Sequence, residues 1–197
     1  NRPVFTRFEP TRTATRPWGY LIPPGQAKTI PLLMQHEITV KQLTASAIVN
    51  AEVYYAKEVR NTQYFQAHYL KAVDAEKREE TVEVPAGSFF VPSGQPKSNL
   101  LSYLLEPETN DNLITWGFLD NVLQVTPSAE EQETRRQRQM ERLSQLPPDQ
   151  RARLQRQIDQ ADRGQRIPII RLMKKTNLKG ILIDSFNQFQ KNRYIRN

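Results

Sequence analysis

Cysteine is absent from the chain, which excludes disulfides and thiolate metal sites and fits any redox compartment. No apolar run approaches the ~20 residues that a membrane-spanning helix requires. Histidine occurs only twice, at His36 and His68. Ser88 follows Ala86-Gly87, but no Gly-x-Ser-x-Gly elbow surrounds it, so nucleophilic hydrolysis has no support from this motif. Ser93-Gly94 lacks the Gly-rich strand-to-helix loop and following Lys that cradle phosphates. The chain starts at Asn1, without Met and without a basic segment leading into an apolar one. The expectation is a fragment or processed product of a longer precursor.

Charge is present but unevenly spread. The net charge is +7, yet residues 1–127 carry 12 Lys and Arg against 13 Asp and Glu, while residues 128–197 carry 16 against 8. The basic character belongs to the last third, so a high overall pI says little about the rest. There, Ser128 with Glu131 forms a capping-box pattern opening a helix rich in Arg, Gln and Glu. Pro147-Pro148 breaks it, and Gln150 to Arg163 reads as a second helix with Leu154, Ile158 and Ala161 on a narrow stripe, ended by Gly164. Each helix has too little apolar surface to be a core element, so a solvated helical hairpin is expected. Arg135, Arg136, Arg138, Arg142, Arg151, Arg153 and Arg156 are the candidate contacts for a polyanion or a large protein partner. Phe186, Phe189 and Tyr194, interleaved with Lys191 and Arg193, could stack on bases. Against this, Glu130, Glu131, Glu133, Glu141, Asp159 and Asp162 are mixed into the same helices, which usually marks a salt-bridged solvent face.

Residues 1–127 read as alternating strands and short helices. Trp18 to Ile22 predicts a strand, Gln26 to Gln35 a helix with Pro31 tolerable only in its first turn, and Ile38 to Leu43 a half-buried strand. That order suggests a βαβ unit. Ala51 to Glu58 and Tyr64 to Val73 predict two more strands; Asp74 to Glu80 reads as a charged turn, and Glu79 to Val84 as the return of a hairpin. Pro85-Ala86-Gly87 turns into the apolar run Ser88 to Val91, and Pro96 to Leu105 predicts a helix ended by Pro107. Asp111 is a candidate cap for the segment burying Leu113, Ile114, Trp116, Phe118 and Leu119. Glu106, Glu108 and Asp111 cluster around Pro107, fit for acid–base work, a cation, or simply capping and ion pairing. Ile167 to Met173 predicts a strand returning to the sheet, and Ile181-Leu182-Ile183 a further short run.

The run Ala86-Gly87-Ser88-Phe89-Phe90-Val91-Pro92, Gln95-Pro96, Leu104-Leu105-Glu106-Pro107-Glu108, Asp111 and Trp116-Gly117-Phe118 resembles the region downstream of the catalytic domain in a branch of the zinc carboxypeptidases. Upstream, Arg16-Pro17-Trp18-Gly19-Tyr20-Leu21-Ile22-Pro23, Leu33-Met34-Gln35-His36-Glu37-Ile38 and Gln66-Ala67-His68 resemble the same proteins, although the family more often has Gly where this chain has Glu37. The likeness covers about residues 16 to 120, with a weaker echo at Ile167 to Leu172.

The resemblance implies a non-catalytic accessory domain, whose partner is a peptidase domain of the same parent. The family's first zinc ligands sit at His-x-x-Glu spacing. Here Thr39 lies three residues after His36 and Lys71 three after His68, so zinc is expected only in a catalytic domain of the parent and no cofactor in this chain. His36 is expected to close its helix and His68 to sit on a sheet face. A periplasmic or secreted location is also what the resemblance implies. A self-contained enzyme resting on His36, His68 or the Glu106–Asp111 cluster is the third alternative. The expected fold is α+β, a mixed sheet of five to seven strands with a few short helices. The expected divisions are an extended lead-in at 1–16, an accessory domain at 17–127, a basic helical hairpin at 128–166, and a returning strand with a basic tail at 167–197.

Overall fold

A computed structural model describes residues 13–183, apart from the side chains of Gln160 and Ala161. The strands are β1 (Gly19–Ile22), β2 (Val40–Leu43), β3 (Ala47–Phe65), β4 (His68–Val84), β5 (Phe89–Pro92), β6 (Gln165–Leu172) and β7 (Gly180–Ile183). The helices are α1 (Ile30–Gln35), α2 (Ser98–Leu105), α3 (Ala129–Gln145) and α4 (Pro148–Ala161), with a 3-10 turn over Pro24–Thr29. The α+β class is as expected. Within it, all the strands form one sheet in the order β4-β3-β6-β1-β5-β2-β7. Every described pairing is antiparallel rather than mixed. β1 and β2 do run in the same direction around α1, but β5 lies between them and pairs with both.

The sheet cannot be flat. Leu43 and Ala47 are joined by three residues that span at most about 15 Å. Their strands are four positions apart in the order, which in a flat sheet is about 19 Å. The sheet therefore rolls, and the roll encloses one apolar core. Leu21, Leu43, Val49, Val84, Phe90, Ile170 and Leu172 form a single buried cluster drawn from strands far apart in the order. On the other face Tyr20, Ile22, Tyr54, Phe89, Val91, Ile167 and Ile169 meet Ile30 and Leu33 of α1, Leu101 and Leu105 of α2, and Leu113, Leu119 and Leu123 of the segment that follows. Alternation along each strand supplies both cores at once. At Gly19 this close packing admits no side chain, since a Cβ would lie 2.4 Å from Phe90 Cε2.

Several local expectations change. Asp74 to Glu80 is the middle of β4, not a turn. The turn is Gln66-Ala67, at φ 47° and 64°, inside what read as one strand. Left-handed φ at both central residues is the I′ geometry that matches sheet twist. Pro31 falls in the first turn of α1 because the preceding residues make a separate 3-10 turn. The segment after Pro107 is a chain of turns, and its cap is Asn112 rather than Asp111. The Asn112 Oδ1 accepts from the backbone N–H groups of Ile114 at 2.7 Å and Thr115 at 3.0 Å.

The helical pair is present, and the Ser128–Glu131 capping box forms as expected. Its base is clipped shut: Gln124 N–H donates to Gln165 Oε1 at 2.6 Å, and Gln165 Nε2 donates to Gln124 O at 2.7 Å. Neither core cluster contains a residue of α3 or α4. Among the described residues no helix is long and apolar enough to cross a membrane. The aromatic tail at Phe186, Phe189 and Tyr194, and the first part of the lead-in, lie outside the described residues.

Candidate functional site

Polar chemistry concentrates where β1, β3, β6 and the end of α2 meet. Arg171 sits between Ile170 and Leu172 on β6. Those neighbours point into the roll, so alternation turns Arg171 to the helical face. There its side chain is 1% exposed. Glu106 ends α2, with its N–H on Ser102 O at 2.9 Å and an extended backbone that leads into Pro107. Arg171 Nε donates to Glu106 Oε1 at 2.9 Å. Tyr20 O–H donates to the same oxygen at 2.7 Å, and Tyr54 O–H donates to Oε2 at 2.9 Å. The other Arg171 nitrogens reach Glu52 Oε2 and the carbonyl of Thr15, so the lead-in is fastened to the same guanidinium. The guanidinium carbon also lies 5.5 Å from the Tyr54 ring centroid.

This arrangement obeys the rule that a buried charge must be both paired and hydrogen-bonded. Burial pushes the Tyr20 phenol well above its ordinary range, and the adjacent Glu106 charge pushes it further. Tyr54 moves the same way for the same reasons in the same order. Both phenols are therefore neutral donors near neutral pH, unsuited to act as bases. Over the network lies a cavity of about 380 Å3, lined by Tyr54, Tyr103, Glu106, Glu108, Arg16 and Ser102 among others.

Of the carboxylates grouped around Pro107 by sequence, Glu106 and Glu108 line one cavity and Asp111 does not. Glu106 is buried in this network, Glu108 is exposed at the cavity wall, and Asp111 accepts from Trp116 Nε1. His36 closes α1 as expected, its N–H within reach of Leu32 O and Leu33 O. His68 opens β4 and packs edge-on against Trp116 at 6.5 Å. Among the described residues no group of three or more His, Cys, Asp or Glu could hold a metal ion. Arg135, Arg136, Arg138, Arg142, Arg151, Arg153 and Arg156 are all exposed. Some are already engaged locally: Arg151 donates to Leu146 O at 3.1 Å, and Arg156 Nε to Ala152 O at 3.2 Å. The residues missed by sequence reasoning are Arg171, Tyr20, Tyr54 and Glu52. A signal existed for one of them, since an Arg inside the apolar strand Ile167-Pro168-Ile169-Ile170-Arg171-Leu172 must be buried or break the pattern.

No protein-family model matches the chain, and no solved structure matches it. Carboxypeptidase 2 of Trichophyton rubrum is 26% identical over 115 residues, which is 58% of this chain and 21% of that protein. Carboxypeptidase 2 of Trichophyton tonsurans and of Trichophyton equinum are each 27% identical over 108 residues, 54% of this chain and 20% of theirs. The chain thus spans about a fifth of the length of the curated relatives it matches. Over about half of its own length, the chain is similar to these carboxypeptidases.

Proposed function

We propose that this chain is a non-catalytic accessory domain of a zinc carboxypeptidase-like protein, and that it packs on and supports a peptidase domain of the same parent. The observation that carries the reading is the partial match. The similarity to Carboxypeptidase 2 takes in only about a fifth of that protein, so the remaining length has room for a separate catalytic unit. The buried network adds support of a physical kind. Arg171 is committed to two carboxylates, a carbonyl and a ring face, which suits a rigid scaffold rather than a group that changes charge during turnover. Zinc belongs to the parent's peptidase domain in this reading, and the periplasm or the extracellular space is its compartment.

Two measurements test it together. The coding sequence upstream of Asn1 should contain His-x-x-Glu and a later His. The isolated chain, supplied with zinc, should release no C-terminal residue from peptides, whereas the parent should. Turnover by the isolated chain that disappears in His36→Ala or His68→Ala would overturn the proposal. An alternative, a basic interaction protein that binds a polyanion, draws on one observation: the arginines of α3 and α4 named above are solvent-exposed. Salt-dependent retention on heparin, lost when those arginines become Gln, is its signature.

A further inference from the structure

The cavity above Glu106 has the charge layout of a small-molecule site. Its volume of about 380 Å3 lies at the small end of the range that holds ligands, about 300–1,000 Å3. Its floor is anionic. Glu106 Oε1 is filled by Tyr20 and Arg171, but Oε2 accepts only from Tyr54 among the hydrogen bonds described. An ionised carboxylate oxygen takes about two donors, so Oε2 has room for one more. Arg171 is shared between Glu106 and Glu52, leaving one negative charge that it does not balance. Lys77 approaches Glu52 only to 3.8 Å, from the exposed side. Tyr54 and Tyr103 line the walls, and aromatic faces attract cations.

The mouth carries both signs, with Arg16 and the exposed carboxylate of Glu108 lining it. Arg16 lines it and is held there by Ser98 Oγ at 3.2 Å and Asn99 Oδ1 at 2.5 Å. Those bonds use two of the five donors of the guanidinium, leaving others for a carboxylate. A ligand that matches both ends carries a cation on one side and a carboxylate on the other. We propose that this cavity binds a basic amino acid of the arginine or lysine class. Its side-chain cation meets Glu106 Oε2 and the Tyr54 ring, and its α-carboxylate meets Arg16. The ligand is either the free amino acid or the C-terminal residue of a peptide, since both present the same two groups. The inference stands apart from the accessory-domain reading and survives its failure.

The test is calorimetric titration of the full 197-residue chain with L-arginine, agmatine and L-citrulline. Agmatine keeps the cation without the carboxylate; citrulline keeps the shape without the cation. L-arginine is expected to bind saturably, and each of the other two about tenfold more weakly or worse, the loss for one charge-assisted contact. Arg16→Ala should weaken L-arginine about tenfold and leave agmatine unchanged. Arg16 is exposed, so this variant tests the mouth without disturbing the core. Glu106→Gln risks misfolding, and for that reason the cation is removed from the ligand instead. Nα-acetyl-L-arginine binding more tightly than L-arginine assigns a peptide C-terminus; the reverse assigns the free amino acid. The proposal is overturned if L-arginine shows no saturation, if citrulline binds equally well, or if Arg16→Ala leaves L-arginine unaffected.

Discussion

Arg171 Nε lies 2.9 Å from Glu106 Oε1, and the bond joins β6 to the end of α2 across 65 residues of sequence. Helix, sheet and lead-in are thereby tied to one guanidinium, which also reaches Glu52 and the carbonyl of Thr15. The charges are stabilised only as a set, so the effect of removing a member depends on what it leaves behind.

Arg171→Met and Glu106→Gln should each destabilise the fold, the first by about 3–5 kcal/mol because two carboxylates lose their shared cation. The double variant is expected to be more stable than the sum of the singles by over ~1 kcal/mol, as for residues in one network. Urea unfolding of all four proteins gives the coupling directly. Additive losses would show that the pair does not act as a unit.

The two buried phenols set an alkaline limit. In the unfolded chain a tyrosine loses its proton near its ordinary value of 10.0, whereas Tyr20 and Tyr54 are held above that in the fold. Their contribution is fully present below pH 10 and is lost as pH rises through their raised folded values. The unfolding midpoint should therefore hold from pH 7 to 9 and fall above 10. Tyr54→Phe should flatten part of that fall while costing about 1–2 kcal/mol at pH 7 for the lost charge-assisted bond. A midpoint with the same alkaline slope in wild type, Tyr20→Phe and Tyr54→Phe would contradict this account.

Glu37 occupies a position made for glycine. It follows α1 at φ 59°, with Ile38 N–H on Leu33 O at 3.0 Å and Glu37 N–H on Met34 O at 2.9 Å, the paired bonds of a Schellman ending. A non-glycine residue there costs of order 1 kcal/mol or more. Its ion pair with Lys97, at 3.4 Å and largely exposed, offsets little of that. Glu37→Gly is expected to raise the melting temperature by about 2–4 °C, and Lys97→Ala to leave it unchanged. A lower melting temperature for Glu37→Gly would mean that the side chain contributes more than the strain.

The helical pair should be dispensable to the fold. Both cores exclude it, and the Gln124–Gln165 amide pair closes the sheet beneath it. Replacing residues 129–161 with a short Gly/Ser linker should leave cooperative unfolding intact, because it removes no residue of either core. The near-ultraviolet circular dichroism should keep its shape. A protein that no longer unfolds cooperatively would make α3 and α4 part of the fold.

How much of this was legible in the chain varies with the range of the interaction. The Ser128–Glu131 box was readable because both partners lie within one turn of helix. The turn at Gln66-Ala67 was not, because neither residue is the Asn or Gly that announces left-handed backbone. The long twisted pairing of β3 with β4 imposes the geometry there. The three carboxylates near Pro107 were grouped by proximity along the chain, but rotation about the end of α2 sends Glu106 inward and leaves Glu108 exposed.

By itself the sequence determined the alternation of strands with short helices, the separation of a basic helical pair from an apolar sheet, and the lack of thiol chemistry. These depend on period, composition and near neighbours, which a one-dimensional reading contains. Only the tertiary structure decided that the sheet rolls around Leu21 and Phe90, that Arg171 meets Glu106 under Tyr20 and Tyr54, and that Arg16 stands at the mouth of the resulting cavity. Those contacts join residues whose separation along the chain exceeds any local pattern. Their partners are chosen by which faces the packed sheet leaves opposite each other.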